Sequence, residues 1–292
     1  MDPRILLDRL SHVRYGHPDL QKAKEFFTDF GLTPVRETET KIYFRGFGGG
    51  KVVIVKDLVG EEITLIYGQQ DRVPEPREVP KPVMWNTWED KRRLGEFQRP
   101  DRDQPSKVHK LGHYGFEVNV DRLHEVFDWY AKTFNLKKTD CLYHPQNNKT
   151  IMIFIHLDKG KEFVDHHNIF IAGSPEVTEG IKAHHSSFEV DDVDSQVVGH
   201  HYLIRKGHIN VFGVGRHVLG SQIFDYWFDP SGFVVEHYVD GDLVNEDSKH
   251  ANEPAVAAVV SSWGPDIPRA FFTKKYEDLP GLKDVPEMPI EA

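Results

Sequence analysis

Glu236 is a carboxylate set among Val234, Val235 and Tyr238, in a stretch that otherwise reads as an apolar strand. A carboxylate is rarely buried unless it is paired or holds a metal. Strand residues alternate faces, so the alternative is that Glu236 simply points to water. Histidine offers it partners. The chain has 17 of them, several in pairs: His166-His167, His184-His185 and His200-His201. Two imidazoles, from His113 and one of His184 or His185, would join Glu236 on one face of a metal and leave the opposite positions open. That facial set is the usual one for non-haem Fe(II) oxygen chemistry. Soft thiolate ligands are scarce, since Cys141 is the single cysteine.

The elements that must position these residues repeat along the chain. Asp19 caps a helix running to about Phe30, with Leu20, Ala23, Phe26, Phe27 and Phe30 at helical spacing and Gly31 at its end. A strand is expected before it at 9–14, and short strands after it at 41–45, 51–56 and 62–67. At Leu111 the pattern returns. LGHYGFEVNV is a strand, and Asp121 caps a helix with Leu123, Val126, Phe127, Tyr130 and Phe134 on one stripe. Strands follow at 137–142, 150–157 and 164–172. Then KAHHSSFEV is a strand, Asp191 or Asp192 starts a helix to about Lys206, and strands come at 208–214, 221–228 and 233–239. Asp229-Pro230-Ser231-Gly232 is a turn tetrad joining the last two.

These are three copies of one βαβββ unit. Residues 51–67 lie over 223–238, with Asp57 on Asp229 and Gly60 on Gly232. His12, His113 and the His184-His185 pair fall in the first strand of their units. The expected fold is therefore α+β, with the C-terminal pair of units forming a half-barrel around a metal. We divide the chain into a single, shortened module at 1–68, a Pro- and charge-rich linker arm at 69–110, a catalytic domain of two modules at 111–244, and a tail at 245–292. Trp85 and Trp88 are expected to pin the arm onto a domain. The tail is expected to wrap over the body or be partly disordered.

Composition excludes several classes. The 292 residues carry a formal net charge of −10, which argues against nucleic acid or an anionic membrane as partner. No apolar run is long enough to span a bilayer, and MDPRILLDRL has no signal-peptide pattern. With one cysteine, a reducing, cytoplasmic location is expected.

The chain resembles the type I extradiol ring-cleavage dioxygenases (catechol 2,3-dioxygenase or metapyrocatechase-like, closest to the fungal branch) of the vicinal oxygen chelate superfamily, which also holds glyoxalase and bleomycin-resistance proteins. The resemblance covers roughly residues 9–67 and 110–245. Leu111-Gly112-His113 is similar to the family's first ligand strand. Lys182-Ala183-His184-His185 is similar to the second, in which the second histidine is the ligand. Phe233-Val234-Val235-Glu236 is similar to the segment carrying the carboxylate. The resemblance thus implies His113, His185 and Glu236 as ligands of Fe(II), with Mn(II) as the other ion that suits them. His167-Asn168-Ile169-Phe170-Ile171 matches the segment whose histidine serves as acid–base. Gly215-Arg216-His217 and Tyr226, ten positions before Glu236, match the substrate-handling residues. The implied roles are catalytic for His167, Tyr226, His217 and His184, with Arg216, His217 and Tyr226 binding substrate. Gly115 stands where many bacterial members have asparagine.

The implied activity is meta cleavage of a catechol-type diol by dioxygen to a muconic semialdehyde, in a homo-oligomeric enzyme. The rivals are a glyoxalase-type lyase or isomerase and a catalytically silent binding relative. His200, His201, His208 and His237 match nothing and have no expected role, the first two being read as surface. The family has four βαβββ units. Only three are expected here, and the join near Phe44–Gly50 reads as an internal deletion. The lone first unit is expected to cover its apolar face with the arm or with a second chain, and to bind no metal, because Thr64 stands where Glu236 has its counterpart.

Overall fold

The computed structural model describes residues 2–44, 51–68 and 84–280. Residues 45–50 of the proposed join and 69–83 of the arm lie outside the described residues. The N-terminal part contributes helix α1 (Leu20–Asp29) and two hairpins, β1 (Pro34–Thr38) with β2 (Lys41–Phe44), and β3 (Lys51–Lys56) with β4 (Glu62–Tyr67). The first large module is β5 (Lys110–Asn119), α2 (Leu123–Thr133), β6 (Leu136–Tyr143), β7 (Thr150–Leu157), the short β8 (Val164–Asp165) and β9 (Ile169–Ser174). The second is β10 (Lys182–Glu189), α3 (Val193–Arg205), β11 (Ile209–His217), β12 (Ile223–Phe228) and β13 (Val234–Val239). The tail adds β14 (Leu243–Val244), β15 (Asn252–Pro254), α4 (Ala257–Val260), β16 (Ser261–Trp263) and α5 (Arg269–Thr273). None of the described helices is long and apolar enough to cross a membrane.

One ten-stranded sheet holds both modules, in the order β15-β6-β7-β9-β5-β10-β13-β12-β11-β16. Each module keeps the same internal order, and each pairs its first strand in parallel with its last: β5 with β9, β10 with β13. The modules meet where β5 and β10 run antiparallel. This is the expected half-barrel, with the two first strands at its centre. The tail closes the sheet at both ends, β15 beside β6 and β16 beside β11. It wraps over the body as expected, and Ala270 and Phe271 are buried against Phe212, Phe224 and Tyr226.

The repeat is visible down to single hydrogen bonds. Asp229 Oδ1 accepts from the amides of Ser231 and Phe233 at 2.8 and 3.0 Å. Asp57 Oδ1 accepts from those of Val59 and Glu61, both at 2.9 Å. In each case an aspartate ties down the turn that follows it.

Several expectations fail. Residues 9–14 form no strand. Instead the N-terminal segment is tied to the end of α2, by Ile5 to Thr133 O and by the Leu7 amide to Asn135 Oδ1. Without a sister unit beside it, this segment has no sheet edge of its own to complete. A 3₁₀ turn at Val120–Arg122 precedes α2, and Asn119, not Asp121, caps it. Trp85 and Trp88 are 65% and 88% exposed, so they pin nothing among the described residues. His200 is not a surface group: its Nδ1 lies 3.0 Å from the buried Asp225 carboxylate. His201 is exposed.

The tryptophans do not cover the apolar face of the N-terminal part, although Val108 of the arm packs against it. α1 lays Phe26, Phe27 and Phe30 on Phe188, Trp227 and Val235, the outer face of the second module. The β3–β4 hairpin goes elsewhere, to the first module, through Val59, Ile63 and Leu65 and a 3.0 Å bond from the Tyr130 hydroxyl to Asp57. His208 and His237 secure α1. His208 reaches Asp29 at 2.9 Å, and His237 Nε2 donates to the Phe30 carbonyl at 2.6 Å while stacking on its ring. Burial pushes the His237 imidazole down to about 4. As a neutral ring it suits this apolar site. Phe30 is fully buried, so Phe30→Ala is expected to cost about 3–5 kcal/mol, read from the midpoint of denaturant unfolding. A loss under about 1 kcal/mol would mean that α1 is not docked on β12 and β13.

Candidate metal centre

β12 and β13 are buried on both faces. Alternation sends Val235 and His237 toward α1, and Glu236 into the cleft. The solvent-facing alternative for Glu236 is therefore closed: the residue is 0% exposed. Pairing of β5 with β10 and of β10 with β13 sets Ser187 beside both His113 and Glu236. His113, His185 and Glu236 thus point from three adjacent strands to one place.

Their ligand atoms form a small triangle. His113 Nε2 and His185 Nε2 are 2.9 Å apart, and Glu236 Oε2 lies 3.2 and 3.4 Å from them. An ion with bonds of about 2.1 Å places neighbouring ligands at right angles about 3.0 Å apart. Neither oxygen of Glu236 has a well-aligned hydrogen-bond partner among the described residues, despite full burial. Three electron-pair donors brought this close around a common point fit a divalent cation. Burial pushes Glu236 up, but the two imidazoles outweigh it and hold the carboxyl well below its usual range. Burial also pushes His185 down to about 4, which keeps its nitrogen available to a metal.

His184 supports this set from behind. Its Nδ1 is 2.8 Å from His185 Nδ1, so one ring fixes the other's orientation. Phe271 of the tail packs edge-on against His184. Beyond it, the buried Lys274 pairs with Glu117 at 3.2 Å, closing that side of the cleft.

His167 and the Tyr226–His217 pair flank the triangle. The His167 ring lies 4.1 Å from that of His113, and the Tyr226 ring 5.0 Å from that of His185. His217 Nδ1 faces the Val260 carbonyl at 2.7 Å, which can only accept, so Nδ1 carries the proton. Its Nε2 therefore accepts from the Tyr226 hydroxyl at 2.9 Å. Burial drives the Tyr226 phenol well up and the His167 imidazole well down, so both groups are neutral. Arg216 is not brought into this cluster. It faces away from His217 on the same strand, and its guanidinium bonds Asp240 at 2.6 Å and the Ser221 carbonyl.

Phe170 escaped the sequence reading. It sits on β9 opposite Gly115, two residues beyond His113. Glu236 sits on β13 opposite Ser187, two residues beyond His185. Phe170 thus occupies the position that the internal symmetry pairs with Glu236. A Cβ on Gly115 would fall inside the Phe170 ring, so the two residues are sterically matched. The position could have been found by aligning the two modules strand by strand.

No protein-family model matches the chain. It is 24% identical over 309 aligned residues to metapyrocatechase 2 of Cupriavidus necator, covering 92% of each chain. Among solved structures, the Mn(II)-bound glyoxalase of Novosphingobium aromaticivorans superposes with a TM-score of 0.61 at 18% identity, over 94% of this chain and 97% of that one. The anaerobic substrate complex of homoprotocatechuate 2,3-dioxygenase of Brevibacterium fuscum superposes with a TM-score of 0.62 at 14% identity, over 87% and 88%. The fold is that of the vicinal oxygen chelate proteins.

His185→Ala or Glu236→Ala is expected to remove most of the divalent metal that the wild-type chain retains after loading and desalting, measured by elemental analysis. Circular dichroism should change little, because the core is built from strands and helices rather than around the ion. One equivalent of metal in His185→Ala would rule out this centre.

Proposed function

We propose that this relative of the extradiol dioxygenases opens a catechol-type aromatic diol with dioxygen, using Fe(II) held by His113, His185 and Glu236. The observation that carries the reading is a complete three-ligand face with acid–base and hydrogen-bonding groups on its flanks. Fe(II) held by these residues would supply open positions for substrate and dioxygen, both of whose atoms would end in the muconic semialdehyde. Mn(II) suits the same ligands.

The chain's own residues do the rest. His167, neutral and buried, takes a proton from a catechol hydroxyl and returns it later in the cycle. The Tyr226 hydroxyl, held by His217, orients the substrate oxygen on the His185 side. His184 keeps His185 aimed at the ion. Phe212, Phe224 and Phe271 pack around Tyr226 and exclude water from that side.

The second reading is a glyoxalase-type lyase or isomerase, which the likeness to a Mn(II)-bound glyoxalase favours. Such enzymes usually draw an extra glutamate. Here the symmetry-related position is Phe170, which supports the three-ligand dioxygenase reading instead. Oxygen uptake separates the two. Protein loaded anaerobically with Fe(II) is expected to consume dioxygen with one or more catechols and release a yellow ring-opened product. Absence of uptake across a broad catechol panel would count against the reading. His167→Asn is expected to keep its iron and still bind catechol, while turnover falls by about two to four orders of magnitude. Normal turnover in that variant would move the proton role to another group.

A further inference from the structure

His167 does not stand alone. Its Nδ1 is 3.0 Å from Nδ1 of His166, and Nε2 of His166 is 2.8 Å from Oδ2 of Asp140. All three residues are buried. From the buried carboxylate on β6 the chain of contacts runs through two imidazoles to the ring that lies over the ligand His113.

The proton positions follow from the ends of this chain. Asp140 Oδ1 accepts from the Ala251 amide at 2.6 Å. Burial raises the Asp140 carboxyl, but the bonds from His166 and Ala251 outweigh it and hold it below its ordinary value. An ionised carboxylate can only accept, so His166 Nε2 carries a hydrogen. In a neutral ring Nδ1 is then an acceptor, and the donor facing it is His167 Nδ1–H. That leaves His167 Nε2 with a free electron pair. The side-chain hydrogen bond that His167 makes to a described residue runs through Nδ1.

The surroundings hold this arrangement still. The Thr139 hydroxyl donates to the His166 carbonyl at 2.7 Å and accepts from His156 Nδ1 at 2.7 Å. The His166 amide bonds the Asp242 carbonyl at 3.1 Å. The backbone of Gly220 lies against the His166 ring, where a Cβ would come within 2.9 Å of Nδ1.

We infer that Asp140, acting through His166, locks His167 in the tautomer whose Nε2 is unprotonated and whose Nδ1–H is tied back. Asp140 and His166 are positioning residues, and His167 remains the group that touches substrate. When the catechol O–H bond breaks, the new N–H bond forms at His167 Nε2. The positive charge that results is stabilised through His166 by the Asp140 carboxylate. This is the orienting logic of a catalytic triad with a second imidazole interposed. The catalytic consequence rests on the dioxygenase reading; the tautomer does not.

Asp140→Asn tests it. The Ala251 amide can only donate, so the Asn oxygen turns to Ala251 and its NH₂ faces His166 Nε2. His166 must then accept at Nε2 and donate from Nδ1, and His167 becomes protonated at Nε2. Long-range proton–nitrogen spectra of histidine-labelled, Zn(II)-loaded protein read this directly, with His166→Asn and His167→Asn assigning the signals. The expected result is His167 protonated at Nδ1 in the wild type and at Nε2 in Asp140→Asn. In the iron-loaded enzyme, Asp140→Asn should lose about 10- to 1,000-fold in kcat while iron content and anaerobic catechol affinity stay unchanged. Asp140→Glu should recover part of the loss. Wild-type His167 protonated at Nε2, or kcat in Asp140→Asn within twofold of wild type, overturns the inference. Should the wild type consume no dioxygen with any catechol, the dioxygenase reading falls, and the spectra still decide the tautomer.

Discussion

A carboxylate with no exposure to water must be compensated, and Glu236 lies 3.2 and 3.4 Å from two imidazoles. That constraint organises the molecule. A buried charge of this kind is stabilised by a cation at the point where the three donors converge. It is costly if any strand shifts. The antiparallel pairing of β5 with β10 therefore matters more than any other contact, because it brings one histidine from each module to the same carboxylate.

Duplication of the module builds the cleft, and departure from symmetry builds the site. Each module offers a first strand with a histidine and a last strand beside it. On β13 the last strand carries Glu236, and on β9 it carries Phe170. An aromatic ring in place of a second carboxylate keeps one side of the His113–His185–Glu236 triangle apolar. The same asymmetry appears among the helpers. His184 backs His185 through a direct nitrogen–nitrogen contact, while His113 has its Nδ1 unpartnered among the described residues and the His167 ring tilted against it.

The periphery serves to keep water away from this centre. α1 covers the outside of β12 and β13, so the strand that carries Glu236 has no solvent on either face. The tail covers the inside through Phe271 and the Lys274–Glu117 pair. Its residue Ala251 also holds Asp140. Elements with weak periodicity in the sequence thus carry much of the dielectric environment on which the buried histidines depend.

The sequence by itself determined the modules, their helices and, with His184 or His185 left open, the three residues that converge in the cleft. Hydrophobic period, capping aspartates and the Asp-x-x-Gly turns are local signals, and local signals survive in one dimension. The fate of residues 9–14 did not, because a strand exists only if an edge is available to pair with it. Nor did the exposure of Trp85 and Trp88, the destination of α1 or the pairing of His200 with Asp225, the last two set by contacts far apart in the chain. Arg216 and His217 are neighbours in sequence, yet strand alternation sends only His217 toward Tyr226. Asp140 precedes His166 by 26 residues and carries no motif. Only the register of β6 against β7, and the return of the tail beside β6, put that carboxylate where it can orient a histidine.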